Sequence, residues 1–474
     1  MNTSTGNSPL SPDFLERLCK IAGADNVLSE AGQTWAYGYD NSRRQAQPGA
    51  VVHVQNAAQI EEIVRLCHES GVSITARGKG TGTTGATVPL DHALVLSFER
   101  MNRIIEIDTA NRLALVEPGV TNGELQAALK PLGFFWPPDP TSAAVCTIGG
   151  NLAYNSAGPR AVKYGTPREN SLGLKAVSGS GEVFATGCNT TKGVVGYDLT
   201  RLLIGSEGTL AIITEATLKL TPLPEAKCTM QATYRDIESA AQAVAAIMAQ
   251  PVIPCALEFM DGTAIKMVRE HADLGLDESV GALLMIEVDG TEKSIAEAAE
   301  AVATAAKCGN CLSVDIAQTD EEVQKLWKTR KALSPALRTI APKKINEDVV
   351  VPVSSIPQLI AGLEKLSAKH DIMIVNFGHA GNGNIHVNLL VNPDDEEEMK
   401  RAHKCLDAVF DLVLSLDGTL SGEHGVGLEK RDFIDREIDP VALRLMHDIK
   451  KQFDPANILN PGKTIPPLES DTGS

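Results

Sequence analysis

The stretch Ile74–Leu90, ITARGKGTGTTGATVPL, decides the fold class. It holds Gly80-x-Gly82-x-x-Gly85, the spelling of a dinucleotide-binding turn. Such a turn needs a strand before it and a helix after it, so that the helix N-terminus meets a pyrophosphate. The strand is present in outline, because Val72, Ile74 and Ala76 alternate with polar residues. The helix is not. ATVPLDHALVLSF follows Gly85, with Pro89 where a second helical turn would fall, and a proline in a helix interior costs about 3 kcal/mol. Glu106 stands roughly where a ribose-binding acid would, but it lies in RIIEID with no helix before it. The preferred reading is therefore a cradle without a helix. Glycines at 78, 80, 82 and 85 and threonines at 81, 83 and 84 offer N–H and hydroxyl donors with little bulk, which suits a phosphate. A plain surface loop is the alternative.

The chain around this stretch has 474 residues, enough for two or three domains. A net charge of −17 and a pI near 5.1 argue against nucleic acid as a partner. The polar start MNTSTGNSPLSPDFLERL does not resemble a signal peptide, and no apolar run reaches the ~18 residues of a membrane span. Nine scattered cysteines read as reduced thiols of a cytoplasmic protein. Cys308 and Cys311 form one CxxC without a second pair, so a plain turn is preferred there to a metal site.

Four segments are expected. Residues 1–44 are a polar, partly helical lead. Residues 45–222 alternate short strands (AVVHV, LVLSF, RIIEID, LKAVSG, LAIITEATLKL) with helices and glycine-rich loops. TPLPEAK, with two prolines after a long strand, marks a boundary. Residues 223–430 are a second α+β domain, and residues 431–474 a helical segment that packs back on the first.

The strongest chemical signal is NFGHAGNGNIHVNLL, residues 376–390. Two strand-like runs flank Asn382-Gly383, which reads as a type I′ hairpin turn. That turn would set His379 directly opposite His386, with Cβ atoms ~4.5–5.5 Å apart. Asn388 would share their face. SGEHGVGLEKR, residues 421–431, frames Glu423 and His424 with glycines. His379, His386 and Glu423 would make a three-ligand metal site with an open position. His424 would remain as a general base. Two ordinary surface histidines are the alternative. A helix over 321–337 has an apolar stripe through Val323, Leu326, Trp327, Leu333 and Leu337, with Arg330 on it. Arg330 is either a structural ion pair or a bidentate clamp for a substrate carboxylate. Lys343 and Lys344 could add charge, although for Lys343 a solvated turn is preferred. The segments 136–166 and 202–220 are long, irregular and rich in Pro, Gly and Asn, as if to wrap an extended ligand.

RGKGTGTTG, PPDPTSAAVCTIGGN, YDLTRLLIGSEGTL, GHAGNGNIH, GEHGVG and FDPANILNPGK occur in this order. Together they resemble the FAD-linked D-2-hydroxyacid dehydrogenases of the vanillyl-alcohol-oxidase/p-cresol-methylhydroxylase flavoprotein superfamily, over residues 45–463. That group includes cytochrome-type D-lactate dehydrogenase, the FAD subunit of glycolate oxidase and D-2-hydroxyglutarate dehydrogenase. The resemblance implies an α+β fold: a two-part FAD-binding domain of the p-cresol-methylhydroxylase type, and a cap domain with an antiparallel sheet that carries the substrate and metal site.

The resemblance also implies site residues. Gly80, Thr81, Gly82, Thr83 and Thr84 would cradle the FAD pyrophosphate. Pro138, Asp139, Thr141, Ser142, Gly149, Gly150, Asn151 and Asn155 match the segments that line the flavin. Glu207, Gly208 and Ile213 match a third FAD-contacting stretch, and Asn460 matches an asparagine that returns toward the flavin. No histidine lies in 77–86, so FAD is expected to be noncovalent. His379, His386 and Glu423 match the metal ligands, His424 the base and Arg330 the carboxylate-binding arginine. Zinc is the expected metal, although nitrogen and oxygen ligands also suit manganese or iron.

The expected reaction is oxidation of a D-2-hydroxy acid, D-lactate or glycolate first, to the 2-oxo acid. His424 would remove the hydroxyl proton with help from the metal, and hydride would pass to flavin N5. Asn388 and Lys344 would border the substrate, and both keep D-2-hydroxyglutarate open. Electrons would go to an external quinone, cytochrome or electron-transfer protein, which could bring the chain to the inner membrane. A homodimer is a further expectation. The rival readings are a noncatalytic flavin electron-transfer subunit and a zinc hydrolase without flavin.

Overall fold

The structure, a computed structural model, describes residues 10–90, 92–269, 276–327 and 342–468. The chain folds as two units. One comprises residues 1–157, 165–223 and 423–474, and the other residues 158–164 and 224–422.

The first unit contains two main sheets of different kinds, besides the two-stranded pairing of Phe134–Phe135 with Thr221–Pro222. In the smaller, the order is Val27–Leu28, Ala50–His53, Leu94–Ser97, Ile74–Arg77. Its last three strands are parallel. Parallel strands covered on both faces read as continuous apolar runs rather than alternations; all four residues of Ala50–His53 and of Leu94–Ser97 are buried. The helix Ala57–Ser70 makes the crossover. Asn56 caps its start by accepting from Gln59 N at 3.0 Å. The helix Pro12–Ala22 packs Phe14, Leu18 and Ala22 into the same core, so the described part of the N-terminal lead belongs to this unit.

The second sheet of this unit is antiparallel, in the order Ile104–Asp108, Leu113–Val116, Ala211–Lys219, Ser171–Ser178, Val183–Gly187. Fully and partly buried residues alternate along most of Ala211–Lys219, as a period of two requires when one face meets a core. The helix Pro440–Phe453 starts on an Asp439 cap with proline in its first turn. Beyond it, Leu459 bridges Ile74 in parallel, with Ile74 N donating to Ile458 O at 2.7 Å and Asn460 N to Ile74 O at 2.8 Å. The tail thus extends the smaller sheet.

The second unit is built on a seven-stranded sheet. Its order is Cys311–Ile316, Ala226–Tyr234, Ala282–Gly290, Ala256–Asp261, Met373–His379, Asn384–Val391, Lys343–Val350. Every described pairing in it is antiparallel. One face carries a core of Met260, Leu283, Met285, Val375, Phe377 and Leu390, against which Leu326 and Trp327 pack. Tyr234, on the other face, donates its hydroxyl to Ala306 O at 2.8 Å, at the end of the helix Ile295–Ala306. No helix among the described residues is long and apolar enough to cross a membrane.

Two boundaries differ from expectation. Residues 423–430, expected with the cap, fall in the first unit, because Thr84 O accepts from Leu428 N at 2.7 Å and Glu207 binds the preceding turn. Residues 158–164 fall in the second unit, where the Tyr164 hydroxyl meets Asp289 at 2.7 Å.

Candidate functional site

The glycine loop of the first unit runs from the strand Ile74–Arg77 to Leu94 with no helix between them among the described residues, which rules out the Rossmann reading. The N–H groups of residues 78–84 donate to nothing among the described residues. Gly78, Gly80, Thr81, Gly82 and Thr83 are only half-buried. A run of uncommitted, partly enclosed backbone donors is what an anionic pyrophosphate needs, so the loop fits FAD. Other groups hold it from outside. Asp40 Oδ2 accepts from Gly85 N at 3.0 Å and from the Thr87 hydroxyl at 3.3 Å. Asn41 donates from Nδ2 to Thr81 O at 3.1 Å and from its N–H to Gly82 O at 2.9 Å.

Beside the loop is a cavity whose walls include Gly149, Gly150, Glu207, Gly208 and Ile213. These five were expected to touch FAD. Arg77, Thr147 and Tyr154 also line it and were not anticipated. Gly149 is required there, because a Cβ would stand 2.6 Å from Pro118 Cβ.

Several other predicted FAD residues support this site without forming its walls. Pro138 O accepts from Asn122 Nδ2 at 2.8 Å. Asn151 is 2% exposed and bonds Cys146, Ser156 and Asn122. Asn155 ends the helix Ile148–Tyr154 in a left-handed conformation and accepts from Arg168 N at 3.1 Å. Asp139, Thr141 and Ser142 lie in the described loop that precedes this helix. Asn460 has a saturated amide. Its Nδ2 donates to Ala86 O and Glu207 O, both at 2.8 Å, and its Oδ1 accepts from Thr75 at 3.2 Å and Lys463 at 2.6 Å. It positions the loop through Ala86. Lys463 also donates to Ala86 O and Val88 O. Burial lowers its pKa to about 7.

The carboxylate of Glu207 is committed elsewhere. It accepts from Val426 N at 2.6 Å, Gly427 N at 2.8 Å and the Thr464 hydroxyl at 2.7 Å. Burial pushes its pKa up against the pull of these donors. The Thr84 hydroxyl donates to His424 O at 3.3 Å. Both contacts fix the backbone of the loop that carries His424.

In the second unit, the hairpin differs from its expected form. Residues 380–383 form the turn, a short 3-10 segment closed by Gly383 at φ 75°. The opposed pairs are therefore His379 with Asn384 and Phe377 with His386. The register is displaced by two residues, which preserves the face because side chains alternate with period two. The two histidines are diagonal neighbours, both 7% exposed, with ring centroids 5.3 Å apart and nearly perpendicular. Asn388 shares the face and is fully buried; its Nδ2 donates to Val375 O and His386 O, both at 3.1 Å.

Asp348, fully buried and directly opposite His386, accepts from Ser421 Oγ at 3.2 Å and Gly422 N at 3.0 Å. Glu423 is the next residue along the chain. One ligand atom from each of His379, His386 and Glu423 lies within 4.8 Å of the others. His379 Nδ1 is 2.5 Å from Glu258 Oε1, which leaves Nε2 to face a cation. Two imidazoles and a carboxylate fit a divalent metal.

Lys343 and Lys344 open the strand Lys343–Val350 rather than a solvated turn, and Lys344 shares the face of Asn388 and His386. Arg330 lies outside the described residues. The helix expected to carry it is described over 320–327 and sets Leu326 and Trp327 against the core on the histidine face. Glu258, Asp348 and Asp40 were missed in the sequence. A glutamate inside the apolar strand ALEFMD was the available signal, since glutamate is rarely buried without a partner.

Comparison with known proteins gives two family matches. Residues 48–187 match the FAD binding domain, and residues 223–464 match the C-terminal domain of FAD linked oxidases. The chain is 40% identical over 455 residues to glycolate oxidase subunit GlcD of Bacillus subtilis (strain 168), covering 96% of this chain and 97% of that one. It is 31% identical to D-lactate dehydrogenase of Anaerostipes hadrus, covering 96% and 97%. Among solved structures, p-cresol methylhydroxylase with substrate bound matches with a TM-score of 0.78 at 20% identity, covering 96% of each chain.

Proposed function

As the chain belongs to the FAD-linked oxidase family and is an FAD-linked oxidoreductase, we propose that it oxidises a D-2-hydroxy acid, D-lactate or glycolate before others, to the 2-oxo acid. The observation that carries this reading is the meeting of His379, His386 and Glu423 within 4.8 Å. Relatives named for glycolate and D-lactate oxidation support it.

FAD, held noncovalently along the 78–84 loop, supplies the hydride acceptor. A divalent cation, zinc by choice, would be held by the two histidines and Glu423 and would make a bound hydroxyl more acidic. His424 takes the hydroxyl proton as general base. Arg330 grips the substrate carboxylate. Asn388 Oδ1, buried and without a partner among the described residues, is an acceptor for a substrate hydroxyl. Electrons leave to an external quinone, cytochrome or electron-transfer protein, at the inner membrane or in the cytoplasm, and the working form is a homodimer.

A second reading is D-2-hydroxyglutarate oxidation. It is favoured by Lys344, a cation on the face of His386 and Asn388 that suits a second carboxylate. The flavin-free hydrolase reading is set aside, because residues 48–187 match an FAD binding domain.

The test is an anaerobic titration of the metal-replete protein with D-lactate, L-lactate, glycolate and D-2-hydroxyglutarate, read at the oxidised-flavin band. Bleaching by D-lactate and glycolate, and not by L-lactate, is expected. Bleaching by D-2-hydroxyglutarate alone moves the assignment to the second reading, and bleaching by none of the four overturns the substrate class.

A further inference from the structure

We propose that Glu258 is the positioning residue of the metal site: its carboxylate accepts the Nδ1 proton of His379 and so aims Nε2 of that ring at the cation. The inference rests on the reading of His379 as a ligand.

Glu258 lies in the middle of the strand Ala256–Asp261, between Leu257 and Phe259, and is 2% exposed. A carboxylate in such a place is costly unless a partner holds it. Its partner is His379, directly opposite in the register, with Oε1 2.5 Å from Nδ1. The pairing is pinned from the same two strands. Asp261 Oδ2 accepts from Asn376 N at 2.8 Å and from Asn376 Nδ2 at 3.0 Å. A slip of one residue would turn Glu258 and His379 to opposite faces, and the Asp261–Asn376 contacts resist that slip.

An imidazole that donates through Nδ1 keeps the lone pair of Nε2 for a metal. A carboxylate on the far nitrogen fixes both tautomer and ring orientation, and it raises the basicity of the ligand. A glutamate that served only as a structural ion pair would stabilise the sheet and have no selective effect on metal binding.

The test uses the FAD-loaded protein, with zinc affinity measured by competition against a chromophoric chelator. Glu258→Ala is expected to weaken zinc binding by about 10–100-fold. Glu258→Gln, which keeps an acceptor oxygen but loses the charge, should fall between it and the wild type. The flavin-to-protein ratio should not change, because Glu258 lies outside residues 48–187, which match the FAD binding domain. Cobalt(II) loaded in place of zinc reports the ligand field directly. Glu258→Gln is expected to shift its visible bands, which a structural role would leave in place. If Glu258→Ala does not fold, Glu258→Gln decides by both readouts. Zinc affinity and cobalt bands equal to wild type overturn the positioning role and leave the metal site standing. A wild type that takes up no stoichiometric zinc or cobalt overturns both.

Discussion

The hairpin of the second unit and the glycine loop of the first are both short, glycine-bearing and set between strands, yet they tolerate error differently. In the hairpin, the turn is two residues longer than the type I′ form and every opposed pair is displaced. The histidines still share a face, because a shift of two is a full period of the strand. The loop at 78–88 has no period. Its shape depends on contacts with Asp40 and Asn41, some 40 residues away, and with Asn460 and Lys463 at the far end of the chain. One region carries a redundant local code, while the other depends on remote residues one by one.

The largest effect should come where the two kinds of information meet, in the aperiodic turn that carries His424. His424→Ala is expected to slow anaerobic flavin reduction by about 10²–10⁴-fold, the usual worth of a general base, with FAD content unchanged. Reduction within a few-fold of wild type would remove His424 from the proton-transfer role.

Asn460→Leu tests the dependence on remote residues. It leaves Glu207 O and the Thr75 hydroxyl without this partner in a buried setting, and Ala86 O with Lys463 alone. Each buried polar group so stranded costs about 1–3 kcal/mol. A loss of roughly 3 kcal/mol or more from the first unit is expected, seen as a lower flavin-release temperature and a reduced FAD content. Unchanged FAD retention would show that the loop is self-supporting and would break the comparison.

The same contrast explains what was legible. Unbroken apolar runs gave the strands Ala50–His53 and Leu94–Ser97, and alternation gave Ala211–Lys219, because burial on one or both faces of a sheet leaves its mark on the chain. The two-part FAD-binding domain and the antiparallel cap came from motifs in order, not from periodicity. Glu258 was hidden because its role depends on strand pairing across 121 residues. Glu207 matches an FAD-contacting stretch and lines the cavity beside the loop, yet its carboxylate is taken up by Val426, Gly427 and Thr464. A pattern of matching residues does not reveal which donor reaches a side chain.

Gly383→Ala probes the tolerant region at its one intolerant point. Gly383 sits at φ 75°, and a Cβ there would lie 1.9 Å from Val351 O. The left-handed conformation alone costs a non-glycine residue about 1–2 kcal/mol. Zinc affinity and the stability of the second unit should both fall by roughly 2 kcal/mol, with flavin retained. Wild-type zinc affinity would mean that the turn can rearrange without moving the histidines.

The smallest effect is a pH dependence in the first unit. Lys463 is 2% exposed, and burial lowers its pKa to about 7, against about 10.4 for a free lysine. Between these values the unfolded chain holds the proton that the folded chain has lost, so stability rises with pH. Just above the folded pKa, from pH 7 to 8, the gain is on the order of 1 kcal/mol. The opposing influence is visible in the structure, since Nζ donates to Ala86 O, Val88 O and Asn460 Oδ1, and carbonyl oxygens favour an ammonium. Burial is expected to win, and flavin release should move to higher temperature from pH 7 to 8 in the wild type and less so in Lys463→Met. A flat profile in both proteins would mean that the three oxygens keep the proton on. Lys463 would then be a permanent cation beneath the cradle, adding a positive charge to the backbone donors of the loop.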